Sequence, residues 1–140
     1  MRYFARLFFG FVAGFVAVLA FHQGMLTLLH LWGVTARTPF PMQPTKPFGV
    51  PLVWSLSFWG GAWGVVFALF DRLFPKGVGY WPIALIFGAI FPTLVALLLV
   101  PVLKGLPMPG WNPSLIMTGL LVNGAWGIGT ALFLRGLAGR

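Results

Sequence analysis

The sequence predicts an all-α, polytopic membrane protein with four transmembrane helices, and three observations lead to this fold class. Of the 140 residues, 59% are hydrophobic and only 7% are charged, whereas a soluble domain has about 25% charged residues. A soluble domain of this size still exposes about 30% of the surface of its unfolded chain, so it could not bury so many apolar side chains. The apolar residues also gather into four long segments. The composition therefore excludes a soluble globular fold, and it excludes disorder, which needs low hydrophobicity.

Each apolar segment is long enough to cross the bilayer as one helix. About 20 residues cross a hydrocarbon core of about 30 Å, and a helix satisfies its own backbone hydrogen bonds inside lipid. A transmembrane β-barrel is excluded because its strands alternate in segments of about 10 residues. The first segment is too long for a signal peptide, so we expect an uncleaved helix. The predicted spans of this single domain, 1–140, are residues 4–31, 52–70, 83–103 and 114–134.

Prolines mark the helix starts. Pro51, Pro82 and Pro113 fall at or near first helical positions, where the missing N–H of proline costs nothing. Asn112 directly precedes Pro113 and predicts an N-cap. Pro92 lies midway along the third segment, where we expect it to kink the helix and free a carbonyl group.

The basic residues predict the orientation in the membrane. Nine Lys and Arg residues stand against one acidic residue, for a net charge of +8. Six of the nine lie in the two termini and the second loop, which are on the same side of the membrane. Because basic residues are enriched on the cytoplasmic side, both termini are predicted to be cytoplasmic. The charges are scattered singly and form no basic face, so nucleic acid is not an expected partner. The six are Arg2, Arg6, Arg72, Lys76, Arg135 and Arg140.

A repeat relates the second and fourth segments at a spacing of 63 residues. Eight of the twelve positions in residues 61–72 recur in residues 124–135, including the sequence Gly-Ala-Trp-Gly and the final arginine. The first and third segments match only at background level. The repeat predicts two tandem helical hairpins, residues 1–75 and 76–140, with the same orientation in the membrane.

Small residues predict where helices approach closely. Glycines spaced four apart let transmembrane helices pack with little side-chain material between them. The pattern leaves open whether the packing partner lies in the same chain or in another. The glycines expected at helix interfaces are Gly10, Gly14, Gly60, Gly61, Gly64, Gly124 and Gly127.

Polar side chains within membrane spans are costly, and they mark candidate functional sites. We expect one cluster to converge on a cavity in the outer half of the bilayer. The alternative is plain interhelical hydrogen bonding of His22 or Gln23 to Asn123 or Ser55, worth about 0.6 kcal/mol per bond. The cluster consists of His22, Gln23, Ser55, Thr118 and Asn123.

The sequence offers little for catalysis. Asp71 is the single acid and is expected to pair with its neighbour Arg72 at the interface, and cysteine is absent. Paired-carboxylate chemistry, a Ser-His-Asp triad and thiolate sites are therefore excluded, and we expect neither an enzyme nor a metal site. A haem, a pigment or copper bound at His22 remains a minor alternative, with Met25, Met42, Met108 and Met117 as soft copper ligands.

The first outer loop, residues 35–51, contains five prolines, which stiffen the chain. With Phe40, Phe48 and Trp111, such a loop could form a lid over the outer face. The other interpretation is an ordered connector.

Four stretches carry a resemblance to a known group of proteins. They are Phe-His-Gln-Gly at residues 21–24, Phe-Gly-Val-Pro at 48–51, Trp-Gly-Gly-Ala-Trp-Gly at 59–64 and Val-Asn-Gly-Ala-Trp-Gly at 122–127. They resemble small uncharacterised four-span inner-membrane proteins of bacteria. The resemblance covers most of the chain and implies a four-helix fold in the bacterial inner membrane. It implies no activity, cofactor or functional residue.

Three functions remain open. The first is a structural or accessory subunit of a larger membrane complex, with membrane lipid and other subunits as partners. The second is a small transporter or channel that works as a homo-oligomer around an outer-facing polar cavity. The third is a membrane protein that binds a cofactor through His22.

Overall fold

The computed structural model describes residues 2–107 and 112–139 of the chain. In these residues all regular structure is helical, and four helices are long and apolar enough to span a membrane, as the hydropathy pattern predicts. They are α1 (Tyr3–Leu31), α2 (Leu52–Leu73), α3 (Gly77–Lys104) and α4 (Pro113–Ala138).

Several helix ends follow from local sequence signals. The predicted N-cap is confirmed, because the Asn112 side chain accepts a hydrogen bond of 3.2 Å from the Leu115 N–H. α3 begins earlier than predicted, since a 3₁₀ turn at Gly77–Gly79 leads directly into it. Pro92 lies inside α3 and is followed by a π-helical turn at Val95–Leu99. α1 contains a similar π turn at Val18–His22, directly before Gln23.

The helices pack in the spatial order α2, α1, α4, α3. α1 packs against both α2 and α4, and α4 packs against α3. Over the described residues, α2 and α3 are not among the helix pairs in close backbone contact. A cleft therefore remains between α2 and α3, with α1 and α4 behind it.

Glycines allow the closest helix crossings. A Cβ atom on Gly10 would lie 2.6 Å from the Gly64 carbonyl oxygen, and one on Gly14 would lie 2.9 Å from the Gly64 Cα atom. In the second hairpin, a Cβ atom on Gly88 would lie 2.7 Å from the Gly127 Cα atom. The backbones touch at both crossings, so these glycine faces are occupied within the chain.

The remaining predicted interface glycines also lie between helices. Gly61 faces the ring of Phe11, and a Cβ atom there would lie 2.6 Å from the ring. Gly124 has more room, because a Cβ atom there would meet Leu85 at 3.6 Å. Gly60 lies at the crossing of α1 and α2, where an added Cβ atom would lie 3.3 Å from the Trp126 indole nitrogen.

We call the end of the bundle that carries both termini the terminal side and the opposite end the loop side. The terminal side is closed by a buried polar cluster. Asp71 forms an ion pair with Arg6 and accepts a hydrogen bond of 2.8 Å from the Tyr80 hydroxyl. Asp71 was expected to pair with Arg72, but Arg72 is exposed. Tyr80 is fully buried in the same cluster.

The first loop is ordered by backbone hydrogen bonds and connects α1 to α2. The carbonyls of Gln43 and Pro41 accept hydrogen bonds of 2.9 Å and 2.8 Å from Leu52 N–H and Val53 N–H, which satisfies the first turn of α2. The rings of Phe40 and Phe48 are exposed. Trp111, named for the lid, and Met108, named as a soft copper ligand, lie outside the described residues.

Candidate binding cavity between α2 and α3

A cavity of about 220 Å³ lies in the loop-side half of the cleft between α2 and α3. All four helices and the first loop contribute side chains to its wall. For comparison, an apolar cavity of about 150 Å³ in a protein holds benzene. The side chains that matter for its chemistry are His22, Arg37, Trp59, Trp63, Thr93 and Asn123.

His22 presents a hydrogen-bond donor to this cavity. The Phe40 N–H donates to Gln23 Oε1 at 2.6 Å, so the amide nitrogen of Gln23 is the atom 3.0 Å from His22 Nδ1. This arrangement makes Nδ1 an acceptor and places the proton of a neutral His22 on Nε2. His22 is only 8% exposed, and Nε2 has no hydrogen-bond partner among the described residues. A ligand in the cavity can therefore accept a hydrogen bond from it.

Asn123 and Thr93 form the polar contact between α4 and α3 beside the cavity. Asn123 Nδ2 donates to Thr93 Oγ1 at 2.8 Å, and Thr93 Oγ1 donates to the Gly119 carbonyl at 3.2 Å. The Asn123 carbonyl oxygen, Oδ1, has no partner within the described part of the chain. The cavity wall thus offers both a donor, at His22, and an acceptor, at Asn123.

Arg37 brings a positive charge to the mouth of the cavity. It belongs to the first loop and is exposed overall, while partial desolvation by the surrounding protein lowers the pKa of its guanidinium below the ordinary value. Arginine nevertheless stays protonated in proteins. Asp71, the single acid of the chain, is buried against Arg6 on the terminal side. No acidic side chain therefore compensates the charge of Arg37.

A second cavity, of about 320 Å³, continues the cleft toward the terminal side. Side chains of α2 and α3 and of the short turn between them form its wall, all of them apolar, and Trp63 is shared with the polar cavity. We call this part of the cleft the apolar groove. Its wall consists of Trp63, Val66, Phe70, Leu73, Phe74, Phe87 and Phe91.

The five predicted polar residues have different positions. His22 and Asn123 line the cavity, and Gln23 is buried directly behind His22. Thr118 is buried, and its hydroxyl has no partner among the described residues. Ser55 is partly buried on α2 and does not line the cavity.

The polar contacts differ from those expected from the sequence. Gln23 bonds to His22 and to the first loop, and Asn123 bonds to Thr93 on α3, so the expected bonds to Asn123 or Ser55 do not form over the described ranges. Arg37, in the first loop, carries no local sequence signal for this cavity. The sequence did not identify Trp59 and Trp63 as cavity residues, although a spacing of four places both on one face of α2.

The described residues contain no group of three or more His, Cys, Asp or Glu side chains close enough to hold a metal ion. His22 lines the cavity, and because Nδ1 is engaged by Gln23, Nε2 is the ring nitrogen without a partner among the described residues. A metal or haem iron at this position would thus have one ligand from this ring.

No protein-family model, curated protein or solved structure matches this chain. The fold and the cavity therefore rest on the contacts described above. The likeness to four-span inner-membrane proteins of bacteria stays an expectation from the sequence.

Proposed function

We propose that this chain is a small transporter of the bacterial inner membrane that binds its substrate in the cavity between α2 and α3. The observation that carries the proposal is the cavity itself, which collects polar side chains from three helices and a charged side chain from the first loop. Polar groups at membrane depth are costly and are found where they line a water-filled path or bind a ligand. The polar groups of this cavity can bind such a ligand.

The closed terminal side supports access from one side only. Beneath the cavity, Phe67 packs edge-to-face against Phe87 and Phe74, with ring centroids 5.4 Å and 5.5 Å apart. The ion pair of Asp71 and Arg6 lies below them. Such an arrangement corresponds to one state of an alternating-access cycle, in which one half of the protein rocks against the other.

The repeat supplies the two halves for that motion. Gly60 and Gly64 on α2 correspond to Asn123 and Gly127 on α4 at the spacing of 63 residues. The crossing partner of Gly64 on α1 is Gly14, and the crossing partner of Gly127 on α3 is Gly88. These matched crossings support a tandem duplication of one helical hairpin, with residues 1–75 and 76–140 as its copies.

We propose that both termini are cytoplasmic, so that the cavity opens to the periplasmic side. Six basic residues on the terminal side against three on the loop side support this orientation. In that orientation the cavity lies in the outer leaflet half of the bilayer, and substrate reaches it from the outer side of the membrane.

Cysteine labelling tests the proposal directly, because the chain has no cysteine of its own. Ala96→Cys places a thiol in the cavity wall, and Leu98→Cys places one at nearly the same depth on α3 but on the lipid-exposed face. In intact cells a membrane-impermeant maleimide is expected to label the Ala96→Cys thiol at least about tenfold faster, because thiols react only where water reaches them. Equal, negligible labelling of both variants would overturn the proposal. Labelling of Ala96→Cys only in inverted vesicles would instead overturn the orientation.

The other two functions stay predictions. The glycine faces of α1 and α2, which an accessory subunit would turn toward partners, lie against each other in this chain. Co-migration with larger subunits after gentle detergent extraction would favour the accessory function or, with identical subunits, a homo-oligomer. A visible absorption band that is lost in His22→Phe would favour a cofactor. We continue to expect no catalysis.

A further inference from the structure

We infer that the substrate of the proposed transporter is an acidic amphiphile, with a negatively charged head group and an apolar chain, taken laterally from the loop-side leaflet. This inference rests on the proposed function and names its substrate class. Two adjoining features of the cleft carry it: a positively charged polar cavity, and an apolar groove that continues from it.

The polar cavity favours a negative head group. Arg37 supplies a charge that no acid compensates, and His22 supplies the Nε2–H donor on a side chain more than nine-tenths buried. Hydrogen bonds between a guanidinium and a carboxylate or phosphate are about twice as strong as neutral ones. A cationic head group would instead be repelled by Arg37. A zwitterionic head group would leave part of its charge unpaired.

The apolar groove favours a ligand with a hydrocarbon chain. Between Trp63 and Phe70 the groove follows α2 for about 10 Å, at 1.5 Å per residue. Its wall is formed by apolar side chains, so a free inorganic anion would make no use of it. Each buried methylene group contributes about 0.8 kcal/mol when it leaves water. The same wall fits the end of an acyl chain that already lies in the bilayer.

The spacing of α2 and α3 suggests how such a ligand would enter. The backbones of these helices are not in close contact over the described residues, and side chains of both helices line both cavities. An acyl chain can therefore slide between these helices from the bilayer while the head group moves toward Arg37. A polar solute arriving from water would need only the polar cavity.

Native mass spectrometry tests the inference with defined lipids. The full chain is extracted and mixed with equal amounts of an anionic and a zwitterionic phospholipid that carry identical acyl chains. We expect wild-type protein to retain one anionic lipid with a selectivity of about tenfold or more, which corresponds to one charge-assisted hydrogen bond. No preference for the anionic lipid would overturn the inference.

Matched variants separate this site from general attraction to a basic protein. Arg37→Gln and Lys46→Gln remove the same charge from the same loop, but only Arg37 lines the cavity. We expect Arg37→Gln to abolish most of the selectivity and Lys46→Gln to preserve it. Equal losses in both variants would reduce the effect to net charge and overturn the inference.

Two substitutions to the same large side chain test the groove. Val66→Trp adds bulk inside the apolar groove, and Leu69→Trp adds bulk to the lipid-exposed face of α2. We expect the first to lower lipid retention at least about fivefold and the second to leave it within about twofold. If Val66→Trp left lipid retention unaffected, the placement of the acyl chain in the apolar groove would be overturned.

Further outcomes distinguish a lipid head group from a free anion, and they distinguish this inference from the proposed function. Full displacement of the lipid by millimolar inorganic phosphate would show that the site takes a free anion, and it would overturn the amphiphile. Fast labelling of Ala96→Cys without lipid selectivity would overturn this inference and leave the proposed function standing. Failure of the labelling test would remove the basis of both.

Discussion

Arg6, in the first turns of α1, forms a buried ion pair with Asp71 at the end of α2, across 65 residues of sequence. Their side chains are 4% and 0% exposed. Tyr80 at the start of α3 donates a second hydrogen bond to the same carboxylate, and the Arg135 guanidinium of α4 lies 4.8 Å from the centroid of the Tyr80 ring. The carboxylate therefore links α1, α2 and α3 at the terminal side, and α4 joins the cluster through Arg135 and the Tyr80 ring.

The first prediction concerns the loss of this carboxylate. Asp71→Asn leaves the Arg6 guanidinium buried without its counter-charge, and breaking one partner of a buried pair typically costs about 3–5 kcal/mol. We expect the free energy of unfolding in detergent micelles to fall by that amount. The measurement is chemical or thermal unfolding followed by the helical circular dichroism signal.

The neighbouring basic residue provides the control for this prediction. Arg72→Gln removes an exposed charge one position away, where a substitution changes stability by about 0.5 kcal/mol or less. The double variant Arg6→Met with Asp71→Leu should recover much of the lost stability, because both charges are gone. A loss in Asp71→Asn no larger than in Arg72→Gln would contradict the assigned role of the pair.

The spans were predictable because hydropathy and helix caps are local properties. A run of about 20 apolar residues identifies a spanning helix without any knowledge of its neighbours. The cap at Asn112 follows from the side chain and from Pro113 behind it. The start of α3 was less accurate, since the glycine-containing turn before Tyr80 has no apolar signal.

The site was only partly predictable because its contacts join residues distant in sequence. Because polar side chains are costly inside a membrane span, the sequence identified His22 and Asn123 as candidate cavity residues, and both line the cavity. Nothing local connects Arg37 with them, or Asp71 with Arg6 in preference to Arg72. Those pairings depend on which helices become neighbours, and the order α2, α1, α4, α3 is not encoded in any single segment.

The second prediction concerns the glycine crossing of α1 and α2. Gly64→Ala would place a methyl group against the backbone of Gly10 and 3.0 Å from the Gly14 Cα atom, so the helices must separate. Overpacking of this kind typically costs about 1–3 kcal/mol. Gly127→Ala, whose Cβ atom would lie 3.1 Å from the Gly88 Cα atom, should show a similar loss if the hairpins are copies. Both losses are measured as free energies of unfolding.

Gly24 is the control for the glycine crossings. It lies in α1, and a Cβ atom there would have no neighbour within 4 Å. Alanine is the better helix former by about 1 kcal/mol in water, so Gly24→Ala should be neutral or stabilising. A destabilisation in Gly24→Ala equal to that in Gly64→Ala would show that glycine matters for reasons other than close helix approach.

The third prediction concerns the hydrogen bond between α4 and α1. The Trp126 indole N–H donates to the Gly14 carbonyl at 3.0 Å, and Trp126 is almost completely buried. Trp126→Phe removes this donor and part of the ring, so we expect a loss of about 1–3 kcal/mol in unfolding free energy. Trp59→Phe, at an exposed position on α2, should cost less than about 0.5 kcal/mol. Similar losses in both variants would assign the effect to general aromatic content.

The last prediction concerns the contact that holds the first loop and orients His22. The Gln23 side chain accepts a hydrogen bond from the Phe40 N–H. Phe40 has a φ of 51°, and this left-handed conformation costs about 1–2 kcal/mol. Gln23→Leu removes both this acceptor and the donor to His22 Nδ1. We expect hydrogen exchange of the Phe40 amide to accelerate about tenfold. The ¹⁵N spectrum of His22 should then lose its single tautomer with the proton on Nε2.

Thr27 provides the matched control one helical turn along α1. Its hydroxyl donates to the Gln23 backbone carbonyl at 2.8 Å and makes no hydrogen bond to the described residues of the first loop. Thr27→Val should therefore leave both the Phe40 exchange rate and the His22 tautomer unchanged, because the Gln23 side chain keeps its two bonds. Unchanged exchange in Gln23→Leu would mean that the carbonyls capping α2 anchor the loop without Gln23. In that case the position of Arg37 at the cavity mouth would depend on those caps instead.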